Sequence, residues 1–154
     1  MLLSIDPAFA KTGWAVFSGP RQLVDFGLIK TGVKHGDAVE RCFRQCRDIM
    51  HMLDEHSITE AVVEIPTGHA WGPGNGRGQS LYGMAAGAIV TILWGRRIKL
   101  HRYTTHEWTK SVKKKPRADK LTLLYPDWCP EIDKGLDIAD AIGIAEYHFG
   151  VQPP

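Results

Sequence analysis

Residues 1–30 read MLLSIDPAFAKTGWAVFSGPRQLVDFGLIK, and this stretch decides the fold. It holds three apolar runs, at 1–6, 13–17 and 22–30, and the first ends in a turn at Asp6-Pro7. Short connections between apolar runs of this length are typical of neighbouring antiparallel strands. The chain therefore opens with a predicted three-stranded meander.

Beyond residue 30 the apolar pattern alternates between helical and extended periods. Apolar positions between Asp37 and His56 follow the 3.6-residue period of a helix, and EAVVEI at 60–65 reads as a fourth strand stopped by Pro66. The pattern then predicts a helix at 80–94, a strand at 98–102, and helices at 104–112, 118–124 and from 136 onward. Three strands followed by alternating helices and strands indicate an α/β fold with a mixed sheet.

Length and composition limit the class of protein. The chain has 154 residues, of which 44% are hydrophobic and 23% charged, as in ordinary soluble proteins. We expect a single domain over residues 1–150 with a short tail at 151–154. No basic leader precedes the first strand, and the longest apolar stretch, 81–94, is too short to span a bilayer, so we expect a cytoplasmic protein without a membrane anchor.

The three cysteines favour the same compartment. Cys42, Cys46 and Cys129 are odd in number and lack the spacing of a disulfide framework, which favours reducing conditions. Cys42 and Cys46 fall on the apolar face of a predicted helix. We therefore expect small core residues there, although their spacing alone would also suit zinc.

Four acidic residues stand where a charge is costly to bury. Asp6 ends the first strand, Glu64 lies at the end of the fourth, and Asp137 and Asp140 open the apolar segment GLDIADAIGIAEYH at 135–148. If the first and fourth strands are parallel neighbours, Asp6 and Glu64 lie at one edge of the sheet. Residues three apart share a helix face, so Asp137 and Asp140 can point to that edge together.

Such a group of acids predicts a metal site. Crowded carboxylates raise one another's pKa unless cations lie between them. Hard oxygen ligands select Mg²⁺ or Mn²⁺, and two such ions about 4 Å apart can hold the attacking and leaving oxygens of a phosphodiester. Each acid also has a structural interpretation: Asp6 as a turn residue, Glu64 as an edge-strand charge, and Asp137 as a helix N-cap with Asp140 in the first turn.

Basic residues are concentrated in one segment. The stretch 96–120 holds ten lysines and arginines and two acids, a local charge of +8, whereas the rest of the chain carries −6. A segregated basic segment in a chain with buried acids indicates a polyanionic partner, although many charge runs are simply solvated surface.

At these residues the sequence resembles RuvC-type Holliday-junction resolvases. LLSIDPAFAKTGWAVF (2–17) is similar to the opening of that family, and AVVEI (61–65) to its strand with the catalytic glutamate. GMAAG (83–87) and RADK (117–120) resemble its next helix and its basic segment, and DIADAIGIAEYH (137–148) its closing helix. The motifs occur in order along nearly the whole chain, and the first and last are the most specific.

The resemblance implies a ribonuclease-H-like fold, a five-stranded mixed sheet flanked by helices. It implies a homodimer that cuts a four-way DNA junction by paired symmetric nicks, leaving 5′-phosphate and 3′-hydroxyl ends. Asp6, Glu64, Asp137 and Asp140 match the metal-binding acids of the family, with Mg²⁺ or Mn²⁺ as cofactor, and Lys120 matches a lysine of catalysis or DNA contact. DNA contacts are expected from five other basic residues in the second half of the segment: Lys110, Lys113, Lys114, Lys115 and Arg117. A compact chain also suits a bacteriophage-encoded member, acting in the cytoplasm of its host.

The chain departs from the family pattern in three places. Ala8 replaces a usual glycine in the first turn, and three consecutive lysines, 113–115, obscure the register of the basic segment. Thr67 occupies the position at which members commonly place an aromatic residue that stacks at the junction centre. His69 or Trp71 can take over that role, or Trp71 can simply anchor the glycine-rich loop at 67–79. This loop, which includes Arg77, is expected to order on DNA.

Several functions remain open at this point. A non-catalytic junction-binding protein has little reason to keep four buried acids. A phosphotransferase of the actin and sugar-kinase type needs a second domain that 154 residues do not provide. A nuclease of the same fold that acts on RNA or other branched DNA would use the same acids.

Overall fold

The computed structural model describes residues 1–66, 76–128 and 132–150. Five strands form in chain order: β1 (Leu2–Asp6), β2 (Lys11–Gly19), β3 (Gln22–Lys30), β4 (Glu60–Ile65) and β5 (Lys99–Thr104). The helices are α1 (Ala38–Glu55), α2 (Gly76–Gly95), α3 (Thr105–Thr109), α4 (Lys114–Leu124) and α5 (Asp137–His148). None of the helices in these ranges is long and apolar enough to cross a membrane.

The strands form one mixed sheet in the order β3-β2-β1-β4-β5. The predicted meander is confirmed, because β1 pairs antiparallel with β2, and β2 with β3. β4 then pairs parallel with both β1 and β5. As a result the carboxyl ends of β1, β4 and β5 meet at the same edge of the sheet.

Alternating side chains along the strands build a core on each face of the sheet. On one face, Phe17 and Val62 pack against Ile142 of α5 and its neighbours. On the other face, Ile5 and Val63 belong to a cluster with the apolar sides of α1 and α2. The sheet is therefore enclosed between helical layers, as the ribonuclease-H-like expectation required. Cys42 and Cys46 are buried free thiols, in agreement with their expected core role.

Three helix boundaries differ from the sequence-based prediction. α4 begins at Lys114 rather than at residue 118, because Pro116 lies in the first turn, where no intrahelical N–H donor is needed. α2 begins at Gly76, so it includes glycines that were assigned to the loop before it. α3 ends at Thr109 because Lys110 adopts a left-handed conformation, with φ 47°. The first of these differences matters for the site, since it places Lys114 on a helix.

Candidate active site

The topology brings the four predicted acids to one end of the sheet. Ile5 and Val63 are register partners in the parallel pair of β1 and β4, so Asp6 and Glu64 follow side by side. α5 packs across β1 and β2 with its first turn at this end. At Gly13, the partner of Asp6 in β2, an added Cβ would lie 2.0 Å from the carbonyl oxygen of Asp137. Only glycine at this position lets the start of α5 approach the sheet.

The start of α5 is held by a residue that the sequence did not single out. The carboxylate of Asp133, which is completely buried, accepts hydrogen bonds from the backbone N–H groups of Asp137 and Ala139, each at 2.9 Å. Leu136 is the N-cap, in a left-handed conformation and without a side-chain cap. The interpretation of Asp137 as N-cap was therefore wrong: Asp137 is the first helical residue, and its side chain is available to the site.

Glu64 is fixed by three donors. Its Oε2 accepts a hydrogen bond from Nε1 of Trp108 at 2.6 Å, and its Oε1 accepts bonds from the hydroxyls of Thr105 (2.8 Å) and Tyr82 (3.2 Å). The Tyr82 phenol remains protonated, because burial and the charge of Glu64 raise its pKa far above the usual value. Glu64 is nearly buried, so its hydrogen bonds fix the orientation of the carboxylate.

Two cations from α4 contact the aspartates of α5. Nζ of Lys114 lies 3.0 Å from Asp137 and 2.8 Å from Asp140, and the guanidinium of Arg117 lies 2.7 Å from Asp140. Burial opposes the charge on Lys114, but the two aspartates outweigh burial and raise its pKa well above the ordinary lysine value. These cations offset part of the negative charge of the two aspartates, which helps the apolar helix α5 to accommodate them.

A tryptophan lies between Glu64 and the ion pairs of α5. The Trp108 ring lies under the guanidinium of Arg117, with 4.5 Å between Cζ and the ring centroid, while its N–H holds Glu64. Its far edge packs on Gly143 of α5, where an added Cβ would approach within 3.0 Å. Trp108 thus contacts Glu64 itself and Arg117, the partner of Asp140.

Asp6 is the acid whose charge is least compensated. Burial raises its pKa well above the usual value, and the charges of Glu64, Asp140 and Asp137 add to the effect more than Lys114 offsets it. Among the described residues, no three of these four carboxylates have oxygen atoms within 4.8 Å of one another. The four acids offer only oxygen donors at one end of the sheet, and oxygen is the ligand that a hard divalent ion prefers.

The turn after β1 is held rigidly beside Asp6. The Thr12 hydroxyl accepts a bond from the Ala8 N–H and donates one to the Ala8 carbonyl. The buried amide of Gln45 on α1 donates to the carbonyls of Ala8 and Phe9, at 2.8 and 3.1 Å. The turn does not use left-handed backbone at Ala8, which explains why alanine is acceptable there.

The basic residues predicted from the sequence fall into different environments. Lys120 is exposed on α4 and makes no ion pair or hydrogen bond within the described part of the chain, so the structure does not bring it into contact with the acids; Lys114 occupies that place. Arg117 is mostly buried against Asp140. The other three are exposed: Lys110, Lys113 and Lys115, the last paired with Asp119. His69, Trp71 and the side chain of Arg77 lie outside the described residues.

Sequence reasoning missed the residues that support the acids. Trp108 is 44 positions from Glu64, and Tyr82 is 18 positions away, so no local spacing connects them. Asp133 had a weak signal, as an acid four residues before the first turn of a predicted helix. Lys114 was assigned to DNA binding as one of the lysines of the basic segment, because nothing in its local sequence connects it to the aspartates of α5.

Comparison with known proteins gives a consistent set of relatives. No protein-family model matches the chain. Over 158 aligned positions it is 27% identical to the crossover junction endodeoxyribonuclease RuvC of Wolbachia sp. subsp. Brugia malayi, covering 96% of this chain and 92% of that protein. The RuvC of Wolbachia pipientis wMel is 26% identical over the same shares. The chain is thus similar to RuvC-type proteins along nearly its whole length.

Solved structures share its fold. Thermus thermophilus RuvC in complex with a Holliday junction substrate superposes with a TM-score of 0.73 at 17% identity, over 97% of this chain and 96% of that chain. The resolvase of fowlpox virus, solved with Holliday junction DNA, gives 0.60 at 10% identity, over 97% and 99%. These matches confirm the predicted ribonuclease-H-like architecture.

Proposed function

We propose that this chain is a RuvC-type crossover junction endodeoxyribonuclease, a nuclease whose single domain spans residues 1–150. It resolves four-way DNA junctions by paired symmetric nicks and leaves 5′-phosphate and 3′-hydroxyl ends. The observation that carries the proposal is the meeting of Asp6, Glu64, Asp137 and Asp140 at one end of the sheet. The similarity to RuvC proteins, which spans nearly the whole chain, supplies the substrate class.

The four acids are proposed to hold Mg²⁺ or Mn²⁺, with two ions at each site. Divalent ions bound in such a set supply activation of water and stabilisation of the leaving oxygen of a phosphodiester. The pKa of Asp6 is raised first by burial and then by the charges of the neighbouring acids. A cation bound among the acids would offset that second, electrostatic part.

The protein's own side chains orient the carboxylate of Glu64 and neutralise charge on the phosphate. Trp108, Thr105 and Tyr82 hold Glu64 in one orientation, so that little reorganisation is needed when the DNA arrives. Lys114 is a cation paired with both aspartates of α5. When a scissile phosphate enters, its ammonium is placed to neutralise the charge that develops there, the role that the resemblance had given to Lys120.

The DNA arms are proposed to contact the exposed basic residues around α4. Lys110, Lys113, Lys115 and Lys120 are all exposed, and α4 carries Lys114 into the acidic site. Phosphate contacts from these lysines position the arms without reading sequence. Arg77, His69 and Trp71 remain proposed contacts at the junction, with Trp71 or His69 stacking on a base.

The active form is proposed to be a homodimer. Paired symmetric nicks require two copies of the site related by a two-fold axis, and the same surface then contacts itself. An open groove of about 810 Å³ between α1 and α2 is lined by Phe43 and Met50 on one side and by Ala88 and Ile92 on the other. Phe43 is 68% exposed, an unusual state for a phenylalanine beside other apolar side chains.

An end-labelled synthetic four-way junction tests the function. The purified protein is incubated with it in Mg²⁺, Mn²⁺ or EDTA, and the products are separated on a denaturing gel beside a linear duplex of the same sequence. We expect metal-dependent paired cuts near the crossover and an intact duplex. Cleavage of RNA or of other branches in preference to the junction would instead assign a related nuclease.

Asp137→Asn is the matched variant for this assay. It keeps the shape of the side chain and leaves the capping by Asp133 untouched, so the fold should survive. We expect cleavage to disappear while junction binding in a gel-shift assay is retained. A wild-type protein that binds the junction and leaves it uncut with every metal would make this a junction-binding protein and not an enzyme.

A further inference from the structure

A second group of metal-ligating side chains lies away from the acidic site. Glu60 begins β4, His101 lies in the middle of β5, and His148 ends α5. Four strand residues, about 13 Å, separate Glu60 from Glu64. Eight helical residues, about 12 Å, separate His148 from Asp140. The group therefore occupies the opposite edge of the sheet and plays no part in the proposed cleavage.

The ligand atoms of these three side chains converge. Nε2 of His101 lies 2.6 Å and Nε2 of His148 lies 3.6 Å from Oε1 of Glu60. One potential ligand atom from each residue lies within 4.8 Å of the other two, the one such trio of histidine, cysteine or acidic side chains in the part of the chain that the structure describes. The two imidazole rings are 4.4 Å apart between centroids.

The surroundings keep the group accessible but ordered. The side chains of Glu60, His101 and His148 are 29%, 30% and 14% exposed, so an ion can reach them from solvent. The hydroxyl of Tyr103 is hydrogen-bonded to Nδ1 of His148 at 3.1 Å and turns Nε2 toward Glu60. Metal-bound histidines commonly have their second ring nitrogen held by an oxygen in this way.

One cation already pairs with the carboxylate of the group. It is Lys99, whose Nζ lies 2.9 Å from Oε1 of Glu60. Its side chain is 70% exposed, so it can swing into solvent when a metal ion takes its place.

We propose that Glu60, His101 and His148 form a Zn²⁺ site that ties the end of α5 to β4 and β5. Two imidazole nitrogens and one carboxylate oxygen suit zinc, whereas the all-oxygen site at the other edge suits Mg²⁺. Since the three side chains are partly exposed, a water molecule would supply the fourth ligand. Because the three ligands come from three separate elements, the ion would stabilise the folded protein.

Zinc titration in excess Mg²⁺ tests the proposal, since Mg²⁺ competes at the acids and not at the imidazoles. We expect isothermal titration calorimetry of the intact protein to show one Zn²⁺ bound per chain. His101→Gln and His148→Gln should each weaken binding more than about 100-fold, and Tyr103→Phe about tenfold, as for other residues that orient a ligand. Zn²⁺ should raise the Tm of the wild type and not that of either histidine variant.

Two controls make the result specific. His51→Gln removes an exposed histidine on α1, and Asp6→Asn alters the acidic site; both should bind Zn²⁺ as the wild type does. Co²⁺ in place of Zn²⁺ should give the intense visible absorption of tetrahedral coordination. Weak, octahedral Co²⁺ absorption by the wild type would overturn the proposal without any variant. So would Zn²⁺ affinity that neither histidine variant changes.

Discussion

Trp108 contributes its N–H to Glu64 and its ring face to Arg117. Trp108→Phe keeps an aromatic ring against Arg117 but removes the indole N–H that donates to Oε2 of Glu64, and leaves the bonds from Thr105 and Tyr82 to Oε1 in place. We expect the junction cleavage rate to fall about 10- to 100-fold, the usual effect of losing a residue that orients a metal ligand. Binding of the uncut junction should stay unchanged, because Trp108 is buried and does not reach DNA.

The dependence of the rate on Mg²⁺ concentration separates positioning from a general loss of structure. If Trp108 orients Glu64, the variant needs more Mg²⁺ for half-maximal rate. Trp94→Phe, an exposed tryptophan at the end of α2, is the matched control and should behave as wild type. A Trp108→Phe protein whose Mg²⁺ dependence is normal would contradict a positioning role.

Asp6 gives a prediction about pH and stability. Its pKa in the folded protein is raised, first by burial and then by the neighbouring acids. A carboxyl whose pKa rises on folding contributes stability that is fully present below its unfolded pKa and is lost as pH rises through the folded pKa. Near neutral pH, Asp6 therefore lowers the free energy of unfolding of the metal-free protein.

Asp6→Asn should remove this cost while abolishing cleavage. We expect the Tm of the metal-free variant at pH 7 to exceed that of the wild type by about 2 °C or more, the shift that roughly 1 kcal/mol produces in a chain of this size. The gain should shrink as pH falls toward the ordinary carboxyl range, and added Mg²⁺ should reduce it. Asp127→Asn, at an exposed position, should show no gain; equal Tm for Asp6→Asn and wild type would contradict the crowding of charge.

At the scale of elements, α5 depends on a cap that lies outside it. Asp133→Ala leaves the N–H groups of Asp137 and Ala139 without acceptors in a buried place. We expect a loss of about 1–3 kcal/mol in the free energy of unfolding, measured by urea denaturation. Asp133→Asn keeps one acceptor oxygen and should lie between Ala and wild type. A loss below about 0.5 kcal/mol for Asp133→Ala would show that the first turn does not need this carboxylate.

The sequence predicts an element well when local patterns determine it, and poorly when contacts distant in sequence determine it. The strands follow from local alternation and turn residues, and β3 and β4 were predicted with their observed limits. Helix starts depend on capping and on contacts distant in sequence, so α4 was predicted to start at residue 118 rather than at Lys114. Lys120 was named from the resemblance to the family, and the three consecutive lysines at 113–115 gave no register that would single out Lys114. The positions of the four acids were predictable because each lies at or near the end of a strand or in the first turn of a helix, whereas Trp108 reaches Glu64 through tertiary packing alone.

The groove between α1 and α2 carries a prediction about assembly. If it is the dimer interface, Phe43→Glu places a charge in its apolar centre. Loss of a central interface contact costs at least about 2 kcal/mol. The dissociation constant of the dimer, measured by analytical ultracentrifugation, should therefore rise roughly 30-fold. Leu123→Glu, on the exposed side of α4, should leave the dimer unchanged. An unchanged dimer in Phe43→Glu would place the interface elsewhere.

Across the whole molecule, the fold divides the basic segment 96–120 between two edges of the sheet. Arg96 and Arg97 precede β5, next to the start of β4, and Arg96 pairs with Asp54 at 3.0 Å. Lys113 and Lys120 lie on or beside α4, whose first residue reaches the acidic site. The +8 charge of the sequence is therefore not one surface, and only the part near α4 is positioned to hold DNA beside the acids.

Salt dependence of junction binding distinguishes the two parts. Each lysine that contacts a phosphate contributes about 0.9 to the slope of log K against log salt concentration. The double variant Lys113→Gln/Lys120→Gln should therefore lower the slope by about 2, measured by fluorescence anisotropy of a labelled junction. Arg96→Gln/Arg97→Gln removes the same formal charge from the same stretch of sequence and should leave the slope close to that of the wild type. Equal losses in both variants would mean that the junction responds to the net charge of the chain, and that the position of α4 beside the acids does not direct binding.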